Sequence, residues 1–288
     1  MQILITGASG HLGGKVIETL LKKNVPANQI TALVRDESKA VKLKEEGVAI
    51  RVGDYDNPAS LDEAMAGIDK VLLVSGLDMS KVVQQHQNVI DAAKKAGVKC
   101  IAYTGNCLRD RNTLVNETMR THFETEDRIK ESGLDYIIFR NVLYMNSLLY
   151  MIGPDAVNTG IALPAGDGRV SFALREDEAE GIGNVLAEDD CSNRIYKFTG
   201  STTYSFHDVA NALSELSGKQ VTYTPVDMET YLANARKNGV SEHMLNVIAP
   251  FMTDINNGQS NEVTEELEKA LGRKPVDLKT GLKRLFNL

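Results

Sequence analysis

Gln2-Ile3-Leu4-Ile5-Thr6-Gly7-Ala8-Ser9-Gly10-His11-Leu12-Gly13 opens the chain. Its first residues are a short apolar run that reads as a β-strand. Glycines at 7, 10 and 13 follow, and then Val16, Ile17, Leu20 and Leu21 recur at helical spacing. A parallel strand feeding a helix through glycines makes a cradle for phosphate. The helix N-terminus carries unpaired N–H groups and a partial positive charge. Glycine lets the backbone turn tightly and approach a ligand closely. A glycine triplet alone is weak evidence, but here the strand before it and the helix after it supply the context that the motif requires.

The same rhythm continues downstream. Apolar runs at Ile30–Val34, Ala49–Val52, Val71–Val74, Ile101–Tyr103 and Tyr136–Phe139 lack strict polar alternation. Strands buried on both faces of a parallel sheet read in this way. Between them, Lys81–Ala96 carries Val82, Val89, Ile90 and Ala93 on one stripe, with Gly97 as a C-cap. The pattern predicts right-handed crossovers and an α/β fold with a doubly wound parallel sheet of the Rossmann type. After Asn141 the rhythm changes, and residues 144–172 show no clear period. Helices are expected at Asp177–Ala187 and Phe206–Ser217, with strands at Arg194–Thr199 and Val221–Val226. The expected organisation is a dinucleotide-binding domain over residues 1–145, with 175–200 returning to it. A smaller C-terminal substrate lobe follows over residues 146–288.

Composition sets bounds. The chain has 288 residues, 42% hydrophobic and 25% charged, which is ordinary for a globular protein. A net charge of −7 argues against nucleic acid as a partner, since phosphate binding needs clustered Lys and Arg. Cys100, Cys107 and Cys191 include no CxxC and cannot pair without a leftover; reduced thiols in a cytoplasmic protein are expected. No pair of the five histidines has metal-ligand spacing, so no metal is expected. The first strand leaves no room for a signal peptide, and no apolar run approaches the roughly 20 residues that span a membrane.

In the glycine motif, the backbone of Ser9 to Leu12 is expected around a pyrophosphate, with His11 contributing its N–H. The second strand ends Leu33-Val34-Arg35-Asp36, about 20 residues beyond the glycines, where a ribose is read. An acidic residue there bonds the 2′-hydroxyl of NAD; an Arg accommodates the 2′-phosphate of NADP. Arg35 comes first, and a guanidinium fork suits a phosphate. Asp36 either repels that phosphate or turns away to cap the helix that follows. After the third strand, Asp54 could accept from an adenine amine and Tyr55 could pack near its ring. The alternative is an Asx-type turn capping the helix after Pro58. Ser75 and Gly76, ending the fourth strand, are expected at the middle of the cofactor. Thr104 and Gly105, ending the fifth, are expected near the nicotinamide.

Many reductases of this architecture use Tyr-x-x-x-Lys, in which the lysine lowers the tyrosine pKa for proton exchange with a carbonyl oxygen. None of the nine tyrosines has a lysine four residues on. A helix near 115–131 instead carries His122 and Glu126 on one face. They are either a proton donor with its supporting charge or a solvated pair. The absence disfavours alcohol–ketone and epimerase chemistry. A quinone needs less help, because aromatisation drives its reduction. Asn141, Tyr144 and Asn146 are expected where the two lobes meet. Asn141 could hold a carbonyl oxygen and Tyr144 stack on a flat ring, or Arg140 and Asn141 could simply tie the chain crossing.

GASGHLG (7–13), ALVRD (32–36), GDYDNP (53–58), VLLVSG (71–76), QHQNVIDAAKKAGVK (85–99), HFETE (122–126) and FRNVLYMNS (139–147) together resemble the NmrA-like group of atypical short-chain dehydrogenases/reductases. Within that group the chain is most similar to bacterial NAD(P)H:quinone oxidoreductases of the second type. The resemblance covers residues 1–150, and more loosely Arg175–Leu186 and Leu271–Pro275. It implies NADP(H) held by the Gly7–Gly13 loop and Arg35, with Ser75 on the ribose–nicotinamide side. It also implies a quinone or similar flat acceptor in the lobe cleft as the small-molecule partner. The group also contains redox sensors that bind NADP(H) without turnover and signal to a protein partner, so a non-catalytic reading stays open.

Overall fold

The computed structural model describes all residues except Leu77, Met79 and Asn238, and it leaves the side chains of His243, Met244 and Val247 undescribed. The chain begins with β1 (Ile3–Ile5), α1 (His11–Lys22), β2 (Ile30–Val34), α2 (Val41–Glu45), β3 (Ala49–Val52) and α3 (Pro58–Met65). It continues with β4 (Lys70–Leu73), α4 (Val82–Lys95), β5 (Cys100–Asn106), α5 (Glu117–Glu131) and β6 (Asp135–Asn141). Next come α6 (Leu148–Met151), α7 (Ala156–Thr159), β7 (Ile161–Leu163), β8 (Arg169–Val170), α8 (Arg175–Leu186) and β9 (Arg194–Phe198). The last elements are β10 (Tyr204–Ser205), α9 (Phe206–Ser217), β11 (Tyr223–Pro225), α10 (Met228–Lys237), α11 (Glu242–Asn256), α12 (Glu266–Leu271) and α13 (Leu278–Leu285).

Two compact units emerge. The first comprises Met1–Asn106, Thr121–Arg140 and Arg175–Lys197. Its seven-stranded sheet has the order β3-β2-β1-β4-β5-β6-β9. The pairs β1–β2, β1–β4, β2–β3 and β4–β5 are parallel. The order reverses between β1 and β4, and the crevice outside the carboxyl ends of these two strands is where such sheets bind ligands. Ile3, Leu4 and Ile5 are wholly buried, as a central strand covered on both faces must be. α1 lays Val16, Ile17 and Leu20 on the sheet, and α4 lays Val82, Val89, Ile90 and Ala93. Asn57 caps α3, accepting from the Ser60 N–H at 3.3 Å, with Pro58 in its first turn. Glu126 of α5 receives a bidentate pair from Arg140 of β6 at 2.8 and 2.6 Å. α8 runs so close to α1 that a Cβ on Gly183 would stand 2.6 Å from the Thr19 Cβ.

The structure corrects the thiol expectation. Cys100, which opens β5, and Cys191, in the turn after α8, form a disulfide with Cα atoms 6.0 Å apart; Cys107 is buried and takes no part in it. Residues 91 apart in sequence meet because the segment after α8 returns to the amino-terminal ends of β4 and β5. Lys70, at the start of β4, holds the same turn by donating to the carbonyls of Glu188 (2.8 Å) and Asp190 (3.2 Å). Sequence spacing carries no sign of this closure.

The second unit comprises Cys107–Arg120, Asn141–Leu174 and Phe198–Leu288. Its strands are short: β7 pairs with β11 in parallel and β8 with β10 antiparallel. α9 starts with a Ser205/Asp208 capping box and ends at Gly218 with φ +69°. α13 lies against Met145, where a Cβ on Gly281 would be 2.1 Å from the Met145 sulfur. The segment 107–120 belongs here because buried Asp254, late in α11, accepts the N–H groups of Val115 (2.8 Å) and Asn116 (2.9 Å). Gln259 adds a second tie, accepting from the Asp110 N–H at 3.0 Å and donating to the Asp110 carbonyl at 3.1 Å. No helix among the described residues is long and apolar enough to cross a membrane.

Candidate functional site

At the carboxyl end of β1 the chain turns through Gly7, whose φ of +58° suits glycine. The Gly10 N–H donates to the Gly7 carbonyl at 2.9 Å and closes the loop. Gly13 then packs on it: an added Cβ would lie 2.5 Å from the Gly7 oxygen, so only glycine lets α1 start this near the strand. Gly10 is the N-cap residue of α1, with no side-chain cap and no acidic residue in the first turn. Ser9, Gly10 and His11 are exposed, while Leu12 and Gly13 are buried. Among the described residues, no side chain caps the first N–H groups of α1. An anion suits such a terminus.

Arg35 stands exposed immediately after β2, with no side-chain hydrogen bond or ion pair among the described residues. Asp36 turns away from it and caps the next short helical turn. Its carboxylate accepts from the Ser38 N–H at 3.0 Å and from the Ser38 hydroxyl at 2.7 Å. These bonds hold the Asp36 pKa below its ordinary value. Of the two sequence alternatives, the capping one is what the geometry displays.

After β3, Asp54 forms an Asx turn, accepting from the Asp56 N–H at 2.9 Å. The cap of α3 is Asn57, not Asp54. Tyr55 lies beside this turn. Its hydroxyl meets the Thr6 hydroxyl and donates to the Val74 carbonyl at 2.9 Å, so the partly buried phenol joins the ends of β1 and β4 and packs against the sheet core.

The ends of β4 and β5 are tied directly, since the Ser75 N–H donates to the Thr104 hydroxyl at 3.0 Å. The Gly76 N–H donates to the His86 Nε2 of α4 at 3.0 Å. His86 Nδ1 lies 2.9 Å from the Thr125 hydroxyl of α5. Sequence reading missed His86, although its place four residues after Val82 on the apolar stripe marked it as buried. Thr6, which bonds Val74 and Tyr55, was also missed.

His122 and Glu126 are not a solvated pair. Both are buried, at 9% and 1% exposure. Glu126 is engaged by Arg140, and His122 Nδ1 lies 2.7 Å from the Tyr103 hydroxyl. Burial pushes the His122 pKa down to about 4, so its ring is neutral near neutral pH. The helical spacing was read correctly, but the sequence did not reveal that this face of α5 turns inward.

In the second unit, the Asn141 carbonyl accepts from the Cys107 N–H at 2.8 Å, and its side-chain amide donates to the Tyr144 hydroxyl at 3.4 Å. Asn141 is 3% exposed, and its Oδ1 is buried without a hydrogen-bond partner among the described residues. Tyr144 is half-buried, and its backbone bridges to Ala173. Among the described residues, no cluster of three His, Cys, Asp or Glu side chains could hold a metal.

Known proteins resemble this chain in sequence and fold. The chain is 35% identical over 287 residues to Quinone oxidoreductase 2 of Escherichia coli strain K12, covering 99% of each chain. Its fold superposes with a TM-score of 0.93 on the Escherichia coli NADPH-dependent quinone oxidoreductase complexed with NADPH, at 34% identity, covering 99% of this chain and 100% of that one. The Citrobacter sp. triphenylmethane reductase complexed with NADP(H) superposes with a TM-score of 0.92 at 35% identity, covering 99% and 100%. The NmrA-like family profile matches residues 1–285, and the chain belongs to the NmrA-like family.

Proposed function

We propose that this chain is an NADPH-dependent reductase that passes hydride to a quinone or a similar flat carbonyl acceptor. The observation that carries the reading is the combination of an α1 terminus without a side-chain cap and Arg35, a guanidinium without a hydrogen-bond or ion-pair partner among the described residues, where the 2′-phosphate of NADP is read. Similarity to reductases crystallised with NADPH and NADP(H) supports it.

The backbone from Ser9 to Gly13 would hold the pyrophosphate, and Arg35 the 2′-phosphate. Asp54, Ser75, Gly76 and Thr104 would border the remainder. When bound, the reduced nicotinamide supplies a hydride, which with one proton from water converts a quinone to its hydroquinone. The chain's own task is then close, aligned approach rather than strong acid catalysis. No tyrosine carries the lysine partner, and His122 is buried and neutral, so neither supplies a strong acid. For the acceptor we propose Asn141, which offers its side-chain amide, and Tyr144, which offers a ring face.

The same missing pair fits a second reading, an NADP(H)-binding sensor without turnover. Purified protein with NADPH or NADH and a small panel of quinones separates the two, followed by the loss of reduced-nicotinamide absorbance. Saturable loss with NADPH is the expected result. No loss across the panel, with NADPH binding confirmed, would overturn the enzyme reading in favour of the sensor.

A further inference from the structure

The polar edge of α4 serves no purpose that packing alone requires. Gln85, His86 and Asn88 lie within the first two turns, and each reaches a different backbone or side chain beside the crevice. The Gln85 amide donates to the Asp56 carboxylate at 3.1 Å. The Asn88 amide donates to the Tyr55 carbonyl at 2.8 Å. His86 accepts from the Gly76 N–H. One helix edge therefore holds both the loop after β3 and the loop after β4.

His86 is the most constrained of the three. It is 1% exposed, and its ring is set edge-on between Tyr55 and Tyr103, with centroids 6.4 and 5.4 Å away. The Gly76 amide can only donate, so Nε2 must be the unprotonated nitrogen. Nδ1 then carries the proton and donates to the Thr125 oxygen, whose own hydroxyl donates to the Thr121 carbonyl at 2.8 Å. Burial keeps the imidazole neutral, with its pKa pushed down to about 3. A Cβ on Gly76 would lie 3.0 Å from the Gln85 Oε1, so the loop rests directly on this edge of α4.

We infer that His86, fixed as the Nδ1–H tautomer, is a positioning residue that holds the Ser75–Gly76 backbone in the shape that receives the dinucleotide. The inference rests on the proposed NADPH site, because the loop matters only if the dinucleotide lies against it. His86 touches neither cofactor nor acceptor and acts through Gly76.

The test compares wild type with His86→Leu, which removes the acceptor, and His86→Gln, whose Oε1 reaches the place of Nε2. NADPH affinity is read from nicotinamide fluorescence, and kcat and KM from quinone turnover. His86→Leu leaves a buried N–H unpaired and is expected to raise the NADPH Kd and KM about 10- to 100-fold, while kcat at saturating NADPH stays within about twofold. His86→Gln is expected to recover most of that loss. Equal affinity of wild type and His86→Leu would overturn the inference, as would failure of the glutamine to rescue. Should His86→Leu not fold, ¹⁵N spectra of the histidine-labelled wild type decide: an Nδ1–H tautomer supports the inference and an Nε2–H tautomer overturns it. Wild type that does not bind NADPH would instead sink the underlying site assignment, a result separate from either.

Discussion

Arg35 and Asp36 are adjacent, and their opposite charges made the cofactor preference ambiguous from sequence. The structure separates them by hydrogen bonding. Asp36 commits both a backbone and a side-chain bond to Ser38, while Arg35 stays exposed. A charge-assisted bond to a phosphate contributes roughly 1.5–3 kcal/mol, which corresponds to about 10- to 150-fold in affinity. Arg35→Ala is therefore expected to weaken NADPH by about that factor and to leave NADH nearly unchanged. Titration of both nucleotides against wild type and variant checks it. Equal losses for the two would show that Arg35 does not read the 2′-phosphate.

Among the elements, α8 holds an oddity that explains nothing in the site and much about stability. Glu178 is wholly buried, and neither carboxylate oxygen has a hydrogen-bond partner among the described residues. Burial raises its pKa well above the ordinary value, with Asp177 adding to the shift, which favours the protonated carboxyl in the folded chain. An unsatisfied buried polar group costs roughly 1–3 kcal/mol. Glu178→Met, similar in volume and without polar atoms, is expected to stabilise the fold by about that amount in urea unfolding at pH 7.5. A destabilised variant would show that the carboxyl has a partner or a bound water. Elements of this kind also mark the limit of sequence reading. β2 and β3 ended where the apolar runs end, and α9 spans the expected residues. Local signals, apolar period and caps, set those boundaries. Inward-facing polar groups were not legible. The His122–Glu126 spacing showed a shared helix face, yet only the tertiary packing of Arg140 and Tyr103 decides that the face is buried. The glycine turn between β1 and α1 and the position of Arg35 just after β2 were legible because both are local in sequence. The His86–Gly76 bond was not, because it joins a helix to a loop on another strand. Nor was the placement of 107–120, which depends on Asp254 and Gln259 more than a hundred residues away.

The whole molecule should record these buried groups in its response to pH. His86 and His122 are held neutral by burial, with pKa values near 3 and 4, against about 6.5 for an unperturbed histidine. Both folded values are depressed, so below pH 6.5 the unfolded chain binds more protons than the folded one. The stability they confer is full above pH 6.5 and is lost as pH falls toward 4. Glu178 acts in the opposite sense. Its folded pKa is raised, so its contribution is full below the unfolded carboxyl value and declines as pH rises. Over pH 5–7.5 the two effects oppose each other, and Glu178→Met is the background in which the histidines can be read alone. Carboxylates whose pKa is lowered, such as Glu18 at about 2 and Asp36, are ionised in both states across that window and contribute no slope. Between pH 6.5 and 5, each buried histidine is expected to remove roughly 2 kcal/mol, about 1.5 pKa units at 1.36 kcal/mol each. Urea unfolding of Glu178→Met at pH 7.5 and pH 5 should therefore differ by about 4 kcal/mol. Adding His122→Gln should halve the difference, since it removes one of the two titrating rings. A stability unchanged between the two pH values would mean that the rings charge freely in the folded state. That result would also break the tautomer argument for His86, because a doubly protonated ring cannot accept from Gly76.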